Sequence, residues 1–522
     1  MKKSIIFGII AMLLFSCGSY ANSWLEDAVF YEIFVRSYYD SDSDGVGDFK
    51  GIEMKLDYIK ELGANALWLM PINTSETYHG YDIEDYYDVN EDFGTMDDFK
   101  SLLEESEKKG IKIVMDLVIN HSSNENEWFK KSAKRIAPYD DWYIWRKELP
   151  DKNWGEKDSR EYRRKARLWN YNETRQEYYF RYFSSTMPDL NYSESVGLRE
   201  EIHKIAKFWL DMGVDGFRLD AIEHLFENAE FEDDDPATTA WLIDFNSYVK
   251  SVNPEAIMVG EVYPDHEVIS KYYGAGDCLD ICFDIPFGYS IIEVFENNDV
   301  KEFETQIMDK YSYPAPLPFY ASFLTNHDQN RIMHRLNNDM EKAKMAAVLL
   351  ATAPGTLFMY YGEEIGMHQA VSQEHHRSVR TPMHWDNSEI TSGFTTAEKP
   401  WKPLDNNKNP YNAAFQQNHP GTLLKLYQQV MNLRKSYPAM RKGDYSFFDT
   451  GDKVIAYDRI FGDEKLLVLM NISDPEQTIT NSRLFGEYKN ILNGETVSIQ
   501  NGFVLRDEEY YVLKGLSPFS SQ

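Results

Sequence analysis

Gly216-Phe217-Arg218-Leu219-Asp220 and, further on, Ile257-Met258-Val259-Gly260-Glu261 are short apolar runs that each end in a carboxylate. Runs of this length without strict alternation suit strands buried on both faces. Working outward, the same reading picks out Val29–Val35, Ala66–Pro71, Ile111–Ile119, Leu279–Phe287, Ser322–Asp328 and Thr356–Tyr361. Helical stripes lie between them. Ile52, Leu56, Ile59 and Leu62 recur at helical spacing and stop at Gly63; Ile202, Ile205, Phe208, Trp209 and Met212 do the same before Gly213. Eight strands alternating with helices predict an α/β fold, a (β/α)8 TIM barrel.

Two stretches break the alternation. From about 122 to 187 the chain is rich in Trp, Tyr, Lys and Arg and has no clean strand–helix unit, which predicts an excursion domain after the third strand. Residues 24–121 and 188–440 would then form the barrel. Beyond about Arg441 the helical pattern stops, and Lys453–Arg459, Lys465–Asn471 and Tyr510–Leu513 read as strands of an all-β unit over 441–522. A chain of 522 residues is too long for one ordinary compact domain, in keeping with this division. The formal net charge of −31 repels nucleic acid and anionic membrane surfaces and leaves a neutral substrate as the natural partner.

The N-terminus reads as a targeting segment. Lys2 and Lys3 precede an apolar run, Ile5 to Phe15, too short to span a bilayer. It ends in Leu14-Phe15-Ser16-Cys17, which resembles a bacterial lipobox: residues 1–16 would be removed and Cys17 would carry the lipid. The expectation is export, with lipid anchoring to the cell envelope as the only membrane contact. Cys278 and Cys282, four apart in a strand-like segment, are too widely spaced for a relaxed disulfide and read as buried free thiols.

Polar residues gather where the barrel strands end. Asp116 and His121 follow strand three, Arg218 and Asp220 end strand four, Glu261 ends strand five, and His327 and Asp328 end strand seven. Barrel enzymes build their sites at this rim. An isolated Asp after a strand is more often a turn or a helix cap, but four strand ends supplying such groups together argue for a site. Retaining glycoside cleavage needs such a set: two carboxyls about 5–5.5 Å apart, one a nucleophile and one an acid/base. Arg218 shares a strand face with Asp220 and is expected to hold it ionised. Glu261 must start protonated. Asp328 can offset positive charge on the sugar, and His121 and His327 can donate to sugar hydroxyls.

These segments, in chain order, resemble the signature regions of the α-amylase family of glycoside hydrolases, from Ala28-Val-Phe-Tyr-Glu-Ile to the β-rich end. The resemblance implies Asp220 as nucleophile, Glu261 as acid/base and Asp328 as transition-state stabiliser. It implies that Arg218, His121 and His327 complete the cleavage subsite. Tyr81, in His79-Gly-Tyr-Asp-Ile, would stack under the sugar, with Asp82 and Asp116 as supporting carboxylates. It also implies a C-terminal antiparallel β-sandwich and an α-glucan or maltooligosaccharide substrate.

Finer motifs divide. Met187-Pro-Asp-Leu-Asn191 mixes features of oligo-1,6-glucosidases and neopullulanases and resembles an intermediary group that includes lipid-anchored α-amylases. Arg380-Thr-Pro-Met-His-Trp-Asp386 is close to an oligo-1,6-glucosidase motif, with His384 for the usual Gln. Ala221 after the nucleophile resembles α-1,4-acting amylases, whereas Glu223 stands where many of those have a leaving-side Lys. The reading is α-1,4 hydrolysis of the endo-amylase type. The alternatives are α-glucosidase, oligo-1,6-glucosidase, neopullulanase-like or transfer activity, and remotely a non-catalytic glucan-binding barrel.

Asp40-Ser-Asp42-Ser-Asp44-Gly-Val46-Gly-Asp48 alternates oxygen donors like the first part of an EF-hand loop. Asp40, Asp42, Asp44 and Asp48 with the Val46 carbonyl would cage Ca2+. A second family site would use Asn120 and the carbonyl of His224; Asn120 serves equally well as a structural hydrogen-bonding residue beside His121.

Overall fold

A computed structural model describes residues 24–149, 159–226, 236–263, 265–313, 320–370, 374–404, 410–473 and 475–516. The targeting segment with Cys17 lies outside the described residues. Among these residues no helix is long and apolar enough to cross a membrane.

Eight parallel strands close into a barrel: β1 Val29–Ile33, β2 Ala66–Leu69, β3 Lys112–Val118, β4 Gly216–Asp220, β5 Ile257–Gly260, β6 Ile281–Phe283, β7 Tyr320–Ser322 and β8 Thr356–Tyr360. β1 closes the ring by pairing with β2 (Phe30 opposite Ala66) and β8 (Val29 opposite Leu357). The lumen is a packed plug of Phe30, Trp68, Val114, Ile257, Val259, Phe283 and Phe358, with Phe30 and Phe358 stacked at 4.3 Å. Strand periodicity of two then decides what sits above the plug. Two residues beyond Phe30 stands Glu32, and two beyond Val114 stands Asp116; both are buried. Arg218 and Asp220 share one face of β4 in the same way.

The helices are fixed by their ends. Phe49–Leu62 begins at Asp48, whose carboxylate accepts the Gly51 N–H, and ends at Gly63 with φ 100°, a left-handed turn that favours glycine. Val196–Met212 is capped by Ser195 and ends at Gly213, φ 114°. Their buried faces, Ile52, Leu56, Ile59 and Leu62 in one and Leu198, Ile202, Ile205 and Trp209 in the other, pack on the barrel.

Two expected strands differ. The run Leu279–Phe287 is a strand only over β6: Asp284 accepts the Phe287 N–H, Pro286 occupies the first turn, and a helix runs Ile285–Asn297. Cys278 therefore precedes the strand, whereas Cys282 lies in it; both thiols are free and buried. The seventh strand is Tyr320–Ser322, earlier than expected, and His327 and Asp328 lie in the loop beyond it. Asn326 Oδ1 accepts the Asp328 N–H there, so the backbone turns instead of continuing the ladder.

The stretch between β3 and β4 carries short helices at Glu127–Ala133 and Arg160–Ala166 and a three-stranded antiparallel sheet of Trp145–Arg146, Glu177–Phe180 and Trp169–Asn172. It packs back on the rim through backbone bridges His121–Asp189 and Tyr143–Leu190. The C-terminal unit is a six-stranded antiparallel sheet, with Glu464–Asn471 and Tyr510–Gly515 at its centre, facing a two-stranded sheet over its own apolar core.

Candidate active site

One guanidinium organises the rim. Arg218, 1% exposed, places Nη1 at 2.9 Å from Asp116 Oδ1 and 2.7 Å from Asp220 Oδ1, and Nη2 at 2.8 Å from Glu261 Oε2. It sits over the Trp68 ring, whose indole N–H donates to Asp116. Glu261, directly after β5, also accepts the Ala221 N–H at 3.1 Å. Ala221 has φ 51°, a left-handed turn that aims this N–H across at the neighbouring strand end.

A second cation faces the first. His327 lies between Glu32 on Nδ1 and Asp328 on Nε2, the latter at 3.1 Å. Its Nε2 is also 2.7 Å from the Tyr81 hydroxyl, which reaches Asp116 at 3.2 Å. Burial opposes charging His327, but Asp328 and Glu32 raise it to about 9, so it is an imidazolium at neutral pH. Asp328 is bound by Arg380 Nη2 at 2.7 Å and His376 Nδ1 at 3.2 Å. Burial would raise its carboxyl, yet His327, His376 and Arg380 hold it well below the ordinary carboxylate range.

The two central carboxyls are both raised. Burial raises Glu261, Arg218 pulls it back, and the nearby Asp220 and Asp328 charges push it up again. That suits a group that must carry a proton. Asp220 departs from the expectation: burial raises it, and Arg218 only offsets part of that rise. Asp116, fully buried, is raised to about 7 by burial despite Arg218, with Asp220 adding to the rise.

The other expected residues fall into three groups. Tyr81 stacks on His327 at 5.7 Å, and Asp82 beside it is held by Ser75 and Thr77. His79 Nδ1 accepts the Tyr81 N–H, and the fields of Asp82, Arg380 and Asp328 reach it. His121 is buried, and burial lowers it to about 3, so it is neutral; among the described residues its Nε2 has no hydrogen-bond partner. Glu223 does not reach out as a leaving-side contact: its Oε2 accepts the Tyr263 N–H at 2.9 Å. His224 stacks on Tyr182 at 3.8 Å, and Asn120 Nδ2 lies 3.4 Å from Asp189. Sequence reading missed Glu32, Trp68, Tyr263 and His376. An acid two residues beyond a lumen-facing aromatic was the available signal for Glu32; the others carried none.

The aspartate-rich loop stands apart. Asp40, Asp42 and Asp48 bring carboxylate oxygens within 4.8 Å of one another. Asp44 lies outside that group, its carboxylate accepting the Val46 N–H. Asp48 also caps its helix and Asp40 accepts the Gly45 N–H, so the loop is pre-shaped by its own bonds. Burial, with neighbouring carboxylates, raises Asp44 and Asp48. Among the described residues no Lys, Arg or His pairs with this cluster, a donor set that fits a hard divalent cation.

Together the rim brings Asp220 and Glu261 onto one guanidinium and holds Asp328 low through His327, His376 and Arg380. A family model described as alpha amylase, catalytic domain, matches residues 32–443. Alpha-amylase 3 of Dictyoglomus thermophilum is 37% identical over 486 residues, covering 91% of this chain and 91% of that protein. The oligo-1,6-glucosidase of Parageobacillus thermoglucosidasius is 35% identical over 517 residues, covering 86% of this chain and 91% of its own. The crystal structure of an α-amylase from H. orenii aligns with TM-score 0.80 at 33% identity, over 93% of this chain and 99% of that one. Closed barrel, C-terminal sheet and matched sequence agree: the chain belongs to the α-amylase family of glycoside hydrolases.

Proposed function

We propose that the protein is a retaining hydrolase of α-1,4-glucosidic bonds in starch-like glucans or maltooligosaccharides, acting as an endo-type amylase. The observation that carries the mechanism is the shared guanidinium: Asp220 and Glu261 meet on adjacent nitrogens of Arg218, which brings two carboxyls together as a retaining mechanism requires. Asp220 attacks the anomeric carbon as the bond to the leaving oxygen breaks, and Glu261 passes its proton to that oxygen. Glu261, now a carboxylate, takes a proton from water; the water oxygen bonds to the anomeric carbon and Asp220 leaves. Asp328, kept ionised by His327, His376 and Arg380, opposes the positive charge on the oxocarbenium-like sugar. Ala221 and the Met187 motif support the α-1,4 preference.

The 35% identity to an oligo-1,6-glucosidase supports a second reading, α-1,6 or exo action on short oligosaccharides. Digestion of soluble starch, pullulan and isomaltose separates them. Rapid loss of iodine staining with mixed maltooligosaccharides is expected. Glucose released from isomaltose with starch untouched would overturn the main reading.

Two further parts complete the proposal. Asp40, Asp42 and Asp48 would hold Ca2+, which would pin the loop that starts the first barrel helix. The Leu14–Cys17 motif supports export and lipid anchoring through Cys17, which labelling with a radioactive fatty acid would test.

A further inference from the structure

A second buried group of charges lies outside the set that the mechanism uses. His266 is fully buried, with Nε2 at 2.9 Å from Asp284 Oδ1 and Nδ1 at 2.9 Å from Asp309 Oδ2. Lys310 pairs with the other oxygen of Asp284, and both of those side chains are fully buried. A neutral imidazole carries one N–H, so carboxylates on both of its nitrogens call for both protons. Burial would raise Asp284, yet Lys310 and His266 hold it below the ordinary carboxylate range. The Tyr320 ring stands edge-on to the imidazole at 5.5 Å, and the centre of the Phe287 ring lies 3.8 Å from Lys310 Nζ. The group reaches solvent at Asp309, whose side chain is 41% exposed.

Such an assembly is a poor device for stability. A buried ion pair often contributes no more than well-packed apolar side chains, and its best-attested use is to fix one geometry. Three elements meet on this one: the helix His266–Lys271, the helix Ile285–Asn297, whose first turn Asp284 caps, and the end of the helix Lys301–Lys310. The first of these follows Glu261 and Tyr263 within a few residues. Glu261 itself is held by Arg218 Nη2 and the Ala221 N–H, and the Tyr263 N–H donates to Glu223. His266 fastens the far end of the same segment to two further helices. Glu261 passes its proton to the leaving oxygen, so a displaced segment is felt as the leaving group departs.

We propose that His266, locked between Asp284 and Asp309, is a positioning residue for the acid/base: it fixes the segment that carries Glu261 and Tyr263, and with it proton delivery to the leaving oxygen. This rests on Glu261 as the acid/base and on the α-1,4 reading above.

The test compares two leaving groups in the full chain. A sugar oxygen needs the proton of Glu261 as it departs, whereas fluoride leaves as an anion with little help, and kcat/KM reports the step in which either departs. The parent, D309A, D309N and E261Q are assayed on maltotetraose and on α-maltosyl fluoride. Asp309 is the member to change, because it is the exposed end of the group. D309A is expected to lower kcat/KM on maltotetraose about tenfold, chiefly through kcat, and on the fluoride less than about twofold, since small misplacements far from the reacting atoms cost up to about 10²-fold. D309N, whose amide oxygen still accepts but carries no charge, should show the same pattern at a smaller size. An unchanged kcat/KM on maltotetraose in D309A and D309N would overturn the proposal. So would equal losses on both substrates, the mark of a merely structural role. E261Q should lose maltotetraose far more than the fluoride; equal losses in that variant would fail the acid/base reading itself, and a parent inert on both substrates would fail the α-1,4 reading, each a different result.

Discussion

Replacing Arg218 by methionine keeps most of the side-chain volume and removes the guanidinium shared by Asp116, Asp220 and Glu261. Arg218 is 1% exposed and Asp116 fully buried, so water cannot take over the lost contacts. Removing one partner of a buried ion pair costs about 3–5 kcal/mol. Protonation limits the loss: Asp116 already titrates near about 7 and takes a proton readily. The expected destabilisation at pH 7 is therefore at the low end, about 3 kcal/mol. Catalysis suffers more, because the same change raises Asp220 further and removes the group that positions Glu261. Loss of one preorganised electrostatic partner costs about 10²–10³ in kcat. Here one cation serves both nucleophile and acid, so a fall in kcat/KM of at least about 10³ is expected. Urea unfolding gives the first quantity and hydrolysis of p-nitrophenyl α-maltoside from pH 5 to 8 the second. R218K should fall between, since an ammonium cannot span the three carboxylates as a fork does. An R218M protein within about 1 kcal/mol of the parent and within tenfold in kcat/KM would refute the reasoning.

Glu32→Gln should move the alkaline limb of activity to lower pH. His327 sits at about 9, above its usual unfolded value of about 6.5, so its imidazolium stabilises the fold fully below that value and is lost as pH rises through 9; without Glu32 the loss begins earlier, and a pH–rate profile unchanged at its alkaline side would count against this pairing. Glu223→Ala frees the Tyr263 backbone and should raise KM for long substrates several-fold, with Glu223→Gln close to the parent because its amide oxygen still accepts. If Gln and Ala behave alike, the hydrogen bond is not what matters. If the aspartate loop takes Ca2+, EDTA should lower the Tm and added Ca2+ should restore it, by about 2.7 kcal/mol at a hundredfold excess over Kd. Asp40→Asn should abolish that response, and an equal response in the variant would place the metal elsewhere.

The barrel was legible because strands buried on both faces leave continuous apolar runs, and glycines in left-handed turns mark where helices stop. What failed was the boundary where one buried element runs straight into another. Leu279–Phe287 stays apolar through Asp284 because the following helix buries Ile285, Phe287, Ile291 and Ile292 as fully as the strand buries Ile281. Periodicity cannot separate the two, and only the cap and Pro286 mark the change. The carboxyls of the candidate site were legible as polar residues at or just beyond strand ends. Their electrostatics were not, because these depend on which groups from distant strands share one cation. Asp220 is the example: its neighbour in sequence lowers its pKa, but the burial created by the whole rim outweighs that neighbour.

The rim solves a problem set by the plug beneath it. Phe30, Phe358 and Trp68 exclude water from below, which strengthens every charge interaction above them and makes each unpaired carboxylate costly. Five acids nonetheless converge there: Glu32, Asp116, Asp220, Glu261 and Asp328. Arg218 serves three of them and His327 the other two, with Trp68 against both, its ring 5.1 Å from the Arg218 guanidinium and 5.5 Å from the His327 ring. The division is unequal in strength. Asp328 receives His327, His376 and Arg380 and is driven low, whereas Glu261 shares one guanidinium with two competitors and stays high. Two carboxyls with opposite duties thus differ because cations are distributed unevenly around a water-poor floor. It follows that the acid's proton is governed by burial and by Arg218, whose charge Asp116 and Asp220 share. A change at Trp68 or Asp116 that redistributes Arg218 should shift the pH dependence of catalysis without altering either catalytic side chain.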